Sequence, residues 1–138
     1  MGDREKRTFQ FRKLVRDGVL DSMLGKGQRV RYTRVTGERH LEAMEDKFGE
    51  EAAELSLTEG SEKTLGELAD LQQLIDDSLT LLGQTPEDLA RVQAGKYARV
   101  GGFLGGVFIR TAEVDPATDP EWYDYLMAHP DRYPTQLD

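Results

Sequence analysis

Residues 49–55 read GEEAAEL, and residues 66–71 read GELADL. Each stretch sets acids among residues that otherwise suit a buried helix, and the relation between the two decides the fold. Upstream and through the first stretch, Leu41, Met44, Phe48, Ala52 and Leu55 recur at helical spacing. At roughly 100° per residue these five lie within a sector of about 80°. Glu51 falls about 60° from the middle of that stripe, Lys47 and Glu54 lie further round, and Glu50 points nearly opposite. A helix over 37–58 is expected, followed by a turn at Glu59-Gly60. Ser61 is a good N-cap for a second helix over 62–82, and Gly83 is placed to end it. That helix carries a broad apolar face through Leu65, Leu68, Ala69, Leu71, Ile75, Leu79 and Leu82. Leu74 and Leu81 form a smaller one on the other side, shared with Glu67, Asp70 and Asp77. A helix apolar on two faces is covered on both, so its acids are expected to be sheltered.

The acids form Glu51-x-x-Glu54 and Glu67-x-x-Asp70. Residues three apart share a helix face, so each pair can converge on one cation. Two antiparallel helices joined by a short turn bring the pairs into a four-carboxylate cluster. Uncompensated, such a cluster repels itself and raises its own pKa values. A hard divalent cation such as Mg²⁺, with oxygen ligands and retained waters, relieves this. The spacing alone is weak, because 26 acids in 138 residues give about five such pairs by chance. Two details argue against an ordinary solvated face: Leu74 and Leu81 accompany Glu67 and Asp70, and Lys47 precedes Glu51 by one turn.

A third helix, over 86–99, is announced by TPED at 85–88, with Thr85 as N-cap and Pro86 at the first helical position. The alternating stretches RVRYTRV at 29–35 and GVFIRTAEV at 106–114 read as strands, giving a small two-stranded ribbon of 29–35 with 107–113. DPEWYDYLMAH at 119–129 suits a short capped helix packed through Trp122 and Leu126, within a polar tail over 115–138. The expected whole is a mainly α, single domain spanning 1–138.

Composition narrows the function. A net charge of −8 disfavours binding to a nucleic-acid polymer. The absence of cysteine excludes disulfides, zinc thiolates and thiol nucleophiles. No run approaches 18 apolar residues, and MGDREKRTF lacks the apolar core of a signal peptide, so no membrane partner and a cytoplasmic address are expected. GGFLGG at 101–106 lacks the Lys-Ser/Thr ending of a Walker A loop. Its backbone N–H groups, with Lys96, Tyr97 and Arg99 just before them, make a candidate phosphate-facing edge. The second helix has more apolar surface than one partner helix can cover, so a homodimer or higher homo-oligomer is expected.

Three stretches together resemble one family. Glu51, Glu54, Glu67 and Asp70 match the ExxE and ExxD signature of the MazG-like all-α nucleoside triphosphate pyrophosphohydrolases, a superfamily that includes phosphoribosyl-ATP pyrophosphatase. KLVRDGVLDSM at 13–23 is similar to the opening of the small stand-alone house-cleaning members, and KYARVGGFLGGVFI at 96–109 to their closing segment. The resemblance covers about residues 11–114, with Gly18-Val19-Leu20 departing from the usual Lys-Ile-Pro. It implies a MazG-like helical bundle and Mg²⁺-dependent cleavage of a nucleoside triphosphate between the α and β phosphates, with Mn²⁺ able to substitute. Glu51, Glu54, Glu67 and Asp70 would ligate metal, while Glu50 is the candidate for orienting or deprotonating water. Lys47, Lys96 and Arg99 would neutralise phosphate, with Lys13 and Arg16 as helpers and Asp77 near the ribose or a metal-bound water. Two other readings stand beside this one: phosphoribosyl-ATP pyrophosphatase itself, and a non-enzymatic acidic helical protein binding a cation or a partner. The base is not readable, because such pockets are built from apolar and aromatic residues without a motif.

Overall fold

The computed structural model describes residues 4–135. Among them are five helices and no strand: α1 (Asp17–Gly25), α2 (Gly37–Glu54), α3 (Ser61–Leu81), α4 (Pro86–Val100) and α5 (Pro120–Ala128). The protein is mainly α. The chain divides between Ala98 and Arg99 into two compact units.

The first unit is organised by α2 against α3, the most extensive helix packing among the described residues. Thr64 meets Ser56 while Glu51 meets Glu67, so numbers fall on one helix as they rise on the other, and the pair is antiparallel. The buried Thr64 hydroxyl closes the turn. It lies 2.8 Å from the carbonyl oxygens of both Ser56 and Gly60, which share its one proton. This is why α2 stops at Glu54 rather than 58: Leu55 turns extended (ψ 125°), presenting the Ser56 carbonyl to Thr64. Gly60, before the first residue of α3, has φ 122° and ψ 149°, a backbone that side-chain-bearing residues avoid. At the other end of α3, Gln84 N–H donates to the Leu79 carbonyl and Gly83 N–H to that of Thr80. That is a Schellman ending with Gly83 at φ 68°, as the glycine predicted.

The stripe expected on α2 is rotated. Met44 is buried, but Ala52 is exposed and Glu51 takes the buried place beyond Met44. Positions 44 and 51 are seven apart and share a face, and α3 packs there. On α3 the half-buried Glu67, Leu71, Leu74 and Ser78 share one face, on which Glu67 meets Glu51 and Glu54 of α2, while Leu65 is 65% and Leu68 42% exposed.

α4 opens with a reciprocal cap: Asp88 N–H donates to Thr85 Oγ1 (3.1 Å) and Thr85 N–H to Asp88 Oδ2 (2.9 Å). In the second unit, Asp119 caps α5 by accepting from Trp122 N–H, with Pro120 in the first helical position. Trp122 stacks on Tyr125 at 5.4 Å, and Tyr133 meets both rings edge-on. The ribbon of 29–35 with 107–113 does not form: both stretches lack strand structure. Alternating apolar residues favour a strand only where a face is covered, and Tyr32, Val107, Phe108 and Ile109 are all more than half exposed. α1 was not anticipated as a helix; it has no buried residue.

Replacing Thr64 by Val keeps shape but takes the hydroxyl donor from the Ser56 carbonyl at the turn, while the Gly60 carbonyl keeps the backbone N–H of residue 64. Denaturant unfolding should show a loss of about 1–3 kcal/mol, with Thr64→Ser retaining most of the stability.

Candidate metal centre

Packing α2 on α3 draws one carboxylate oxygen from each of Glu51, Glu54 and Glu67 to within 4.8 Å of one another. That span is comparable to the oxygen shell across a hard cation, about 4–5 Å. Glu51 is buried and Glu67 half-buried, whereas Glu54 is exposed, so the group opens to solvent on one side. Oε2 of Glu51 and Oε2 of Glu67 are both buried without a hydrogen-bond partner. Unpaired buried acceptors are costly, and anionic ones more so. Burial raises the Glu51 pKa; Lys47 opposes this through its hydrogen bond and charge, while repulsion from Glu54 and Asp70 adds to it.

Cations are fixed around the rim. Lys47 Nζ lies 3.4 Å from Glu51 Oε1 and 3.3 Å from Glu50 Oε1. Lys13 reaches across the fold to donate to Glu50 at 2.8 Å, and Arg16 donates to Asp70 at 2.6 Å. Glu50 is thus not directed away from the cluster, as its helical angle implied. It is half-buried, held by two lysines, and its pKa is lowered, chiefly by the Lys13 hydrogen bond. A carboxylate so stabilised as an anion is a weak base. Lys13 is correspondingly raised by Glu50.

Asp70 stands apart from the three-glutamate group, engaged by Arg16, although its charge is felt at Glu51. Counting Glu50, Glu51, Glu54, Glu67 and Asp70 against Lys13, Arg16 and Lys47, five negative charges meet three positive ones. Two negative charges remain, the complement of one divalent ion. Lys63, near Glu67, is already paired with Glu59.

The other expected site residues are not part of this group. Asp77 accepts from Gln73 at 3.2 Å on the exposed side of α3. Lys96 and Arg99 are exposed on α4 and make no ion pair among the described residues. Arg99 belongs to the second unit. The shallow concavity formed there by Gly102, Phe103, Gly105, Gly106, Val107 and Phe108 contains no ionisable side chain.

Sequence reading missed Thr64, whose hydroxyl sets the turn and hence the register of Glu51 on Glu67. A threonine one turn after a glycine was the available signal. The pairing of Lys13 and Arg16 with Glu50 and Asp70 was also missed, since it spans 37 and 54 residues.

Comparison with protein-family models, curated proteins and solved structures finds no match. The geometry of the site fits a cation: three convergent carboxylates, two orphaned oxygens and an excess of negative charge.

The shifts of Glu50 and Glu51 have opposite consequences. A raised carboxylate pKa adds stability below its ordinary value that is lost as pH rises through the raised one. A lowered pKa adds stability above the ordinary value that is lost as pH falls. In chelator at pH 7, Glu51→Gln should therefore raise the melting temperature and Glu50→Gln should lower it. Thermal melts from pH 4 to 8 check both, and the Glu51→Gln protein should lose the destabilisation that sets in as pH rises.

Proposed function

We propose that the protein is a divalent-cation-dependent nucleoside triphosphate pyrophosphohydrolase of the MazG-like kind, releasing a nucleoside monophosphate and pyrophosphate. The observation that carries this reading is the convergence of Glu51, Glu54 and Glu67 around two orphaned buried oxygens. The ExxE and ExxD motifs supply the reaction class by resemblance. Glu51, Glu54 and Glu67 would hold Mg²⁺ or Mn²⁺, with Asp70 the fourth carboxylate of the motif. A cation bound there supplies charge neutralisation for phosphate oxygens and an acidified water for in-line attack.

The chain's own residues do the rest. Lys47, with its side chain only 16% exposed, is the most sheltered positive charge at the rim of the site. Lys13 and Arg16 put two more cations at the rim, where a polyphosphate would lie. Glu50 holds Lys13 and Lys47 in position, a role its lowered pKa suits better than proton abstraction. Lys96 and Arg99 remain further phosphate candidates from the motif. Nucleotide-pool house-cleaning is the setting the resemblance favours. A non-enzymatic cation-binding module is the second reading, favoured by one fact: Glu50 and Asp70 are already neutralised by basic side chains.

Pyrophosphate release from a panel of nucleoside triphosphates with Mg²⁺ separates them. Glu67→Gln keeps size but removes the charge a cation needs, and should lower kcat by orders of magnitude with helicity intact. Glu59→Gln, outside the cluster, should leave turnover unchanged. No release by the wild-type protein would bring the non-enzymatic reading forward, and full release by Glu67→Gln would remove Glu67 from the catalytic machinery.

The same reading includes a homo-oligomer. Met44 is the sole buried hydrophobic residue among those described, and no described side chain is below 2% exposure. Two packed helices rarely form a stable core alone, and α3 leaves Leu65 and Leu68 exposed, as is Leu82 at its C-cap. Light scattering at micromolar protein should give a dimer or larger species. Leu65→Glu combined with Leu68→Glu should shift it to monomer and lower the melting temperature; a wild-type monomer would contradict the assembly.

A further inference from the structure

Resting on the proposed cation site, one feature of this chain points to how that site is controlled. Asp70 completes the ExxD pair, yet its carboxylate is engaged by Arg16 Nη2 at 2.6 Å, and it is absent from the group that Glu51, Glu54 and Glu67 form. The site has a built interior: Glu51, only 8% exposed, carries a buried oxygen without a hydrogen-bond partner, as does Glu67, and the two carboxylates approach within 4.8 Å.

Arg16 is anchored through its backbone, while its side chain is exposed to solvent. Its backbone caps α1, where its carbonyl accepts the Val19 N–H at 2.9 Å. Its side chain is 56% exposed and that of Asp70 36% exposed, so solvent screens the pair and either group can be exchanged without breaking a core. α1 has no buried residue, and the segment just before it is tied to α2 by the Lys13–Glu50 pair and to α3 by Arg16–Asp70. Arg12, next to Lys13, has φ 50°, a left-handed kink that turns the chain there.

We propose that Arg16 is a latch on the cation site. Without a divalent ion it occupies Asp70 and neutralises the outer edge of the cluster. An entering divalent ion competes for Asp70, and the released guanidinium is then available to an anionic phosphate ligand at the same rim. Cation and polyphosphate binding are thereby coupled through one side chain: the ion frees the arginine, and the arginine favours the anion. Lys13 cannot serve in this way, because its partner Glu50 is outside the ExxE and ExxD set and is shared with Lys47.

The latch predicts opposite signs for two ligands, which an arginine without electrostatic access to the site would not produce. Calorimetric titration of the full chain with Mg²⁺ alone should show tighter binding in Arg16→Ala, by up to about fivefold, the range of an exposed ion pair. Inorganic pyrophosphate, titrated at saturating Mg²⁺, should bind more weakly to the same variant. Arg39→Ala removes an equal charge elsewhere, where Arg39 pairs with Glu42 at 3.8 Å, and should alter neither. Arg16→Gln serves if the alanine variant loses helicity by circular dichroism. Unchanged or weaker Mg²⁺ binding in both Arg16 variants would overturn the latch, as would equal tightening in Arg39→Ala. If no protein in the series, wild type included, binds Mg²⁺, the cation site itself fails and the latch with it.

Discussion

Repulsion among carboxylates held between α2 and α3 is the constraint around which the first unit is arranged. The helices pack because each has an apolar face, but the contact places Glu51 in the seam, where burial raises its pKa and one oxygen has no partner. Glu67 contributes a second orphaned oxygen from across the seam. A fold stabilised only by its own contacts would have put alanine or leucine there, and Ala52, one position on, is left exposed instead. Lys47, Lys13 and Arg16 neutralise the margins without entering the centre. The deficit they leave matches a doubly charged ion, which ties the electrostatics of the hairpin to its proposed chemistry.

The turn between the helices sets this arrangement. Gly60 provides a backbone conformation closed to other residues, and Thr64 locks it through two carbonyls. Register follows: with Ser56 opposite Thr64, Glu51 arrives opposite Glu67. A shift of one residue on either helix would rotate its acid by about 100° out of the seam. Small residues in the turn thus govern the separation of charges more than a turn away.

Much of this was legible in the amino-acid order. The α2–α3 pair, the Thr85 and Asp119 caps, the Gly83 ending and the approach of the two acidic motifs all follow from local patterns with one physical cause each. Angular detail was less accessible. The stripe through Leu41, Met44 and Phe48 gave a face centred away from Glu51, because hydrophobicity alone does not register that a helix can bury an acid where a cation compensates it. Glu50 seemed to point outward because an arm 37 residues away, carrying Lys13, cannot be seen from α2. The ribbon failed for a related reason: alternation in 29–35 and 107–113 describes residues able to form strands, and pairing requires a covered face that those stretches lack. α1 was hidden because its sequence has no buried face to produce a period.

The central claim is that Glu51, Glu54 and Glu67 form a divalent-cation site. Its most direct test is titration with Mn²⁺ followed by amide NMR, since the paramagnetic ion broadens resonances close to where it binds. The account predicts early, saturable broadening confined to residues 47–54 and 64–70 and to the rim segment 13–16, reversed by excess Mg²⁺ and absent in the Glu51→Gln, Glu54→Gln double variant. Uniform broadening, or broadening centred on the exposed acids Asp115, Asp119 and Glu121, would contradict it.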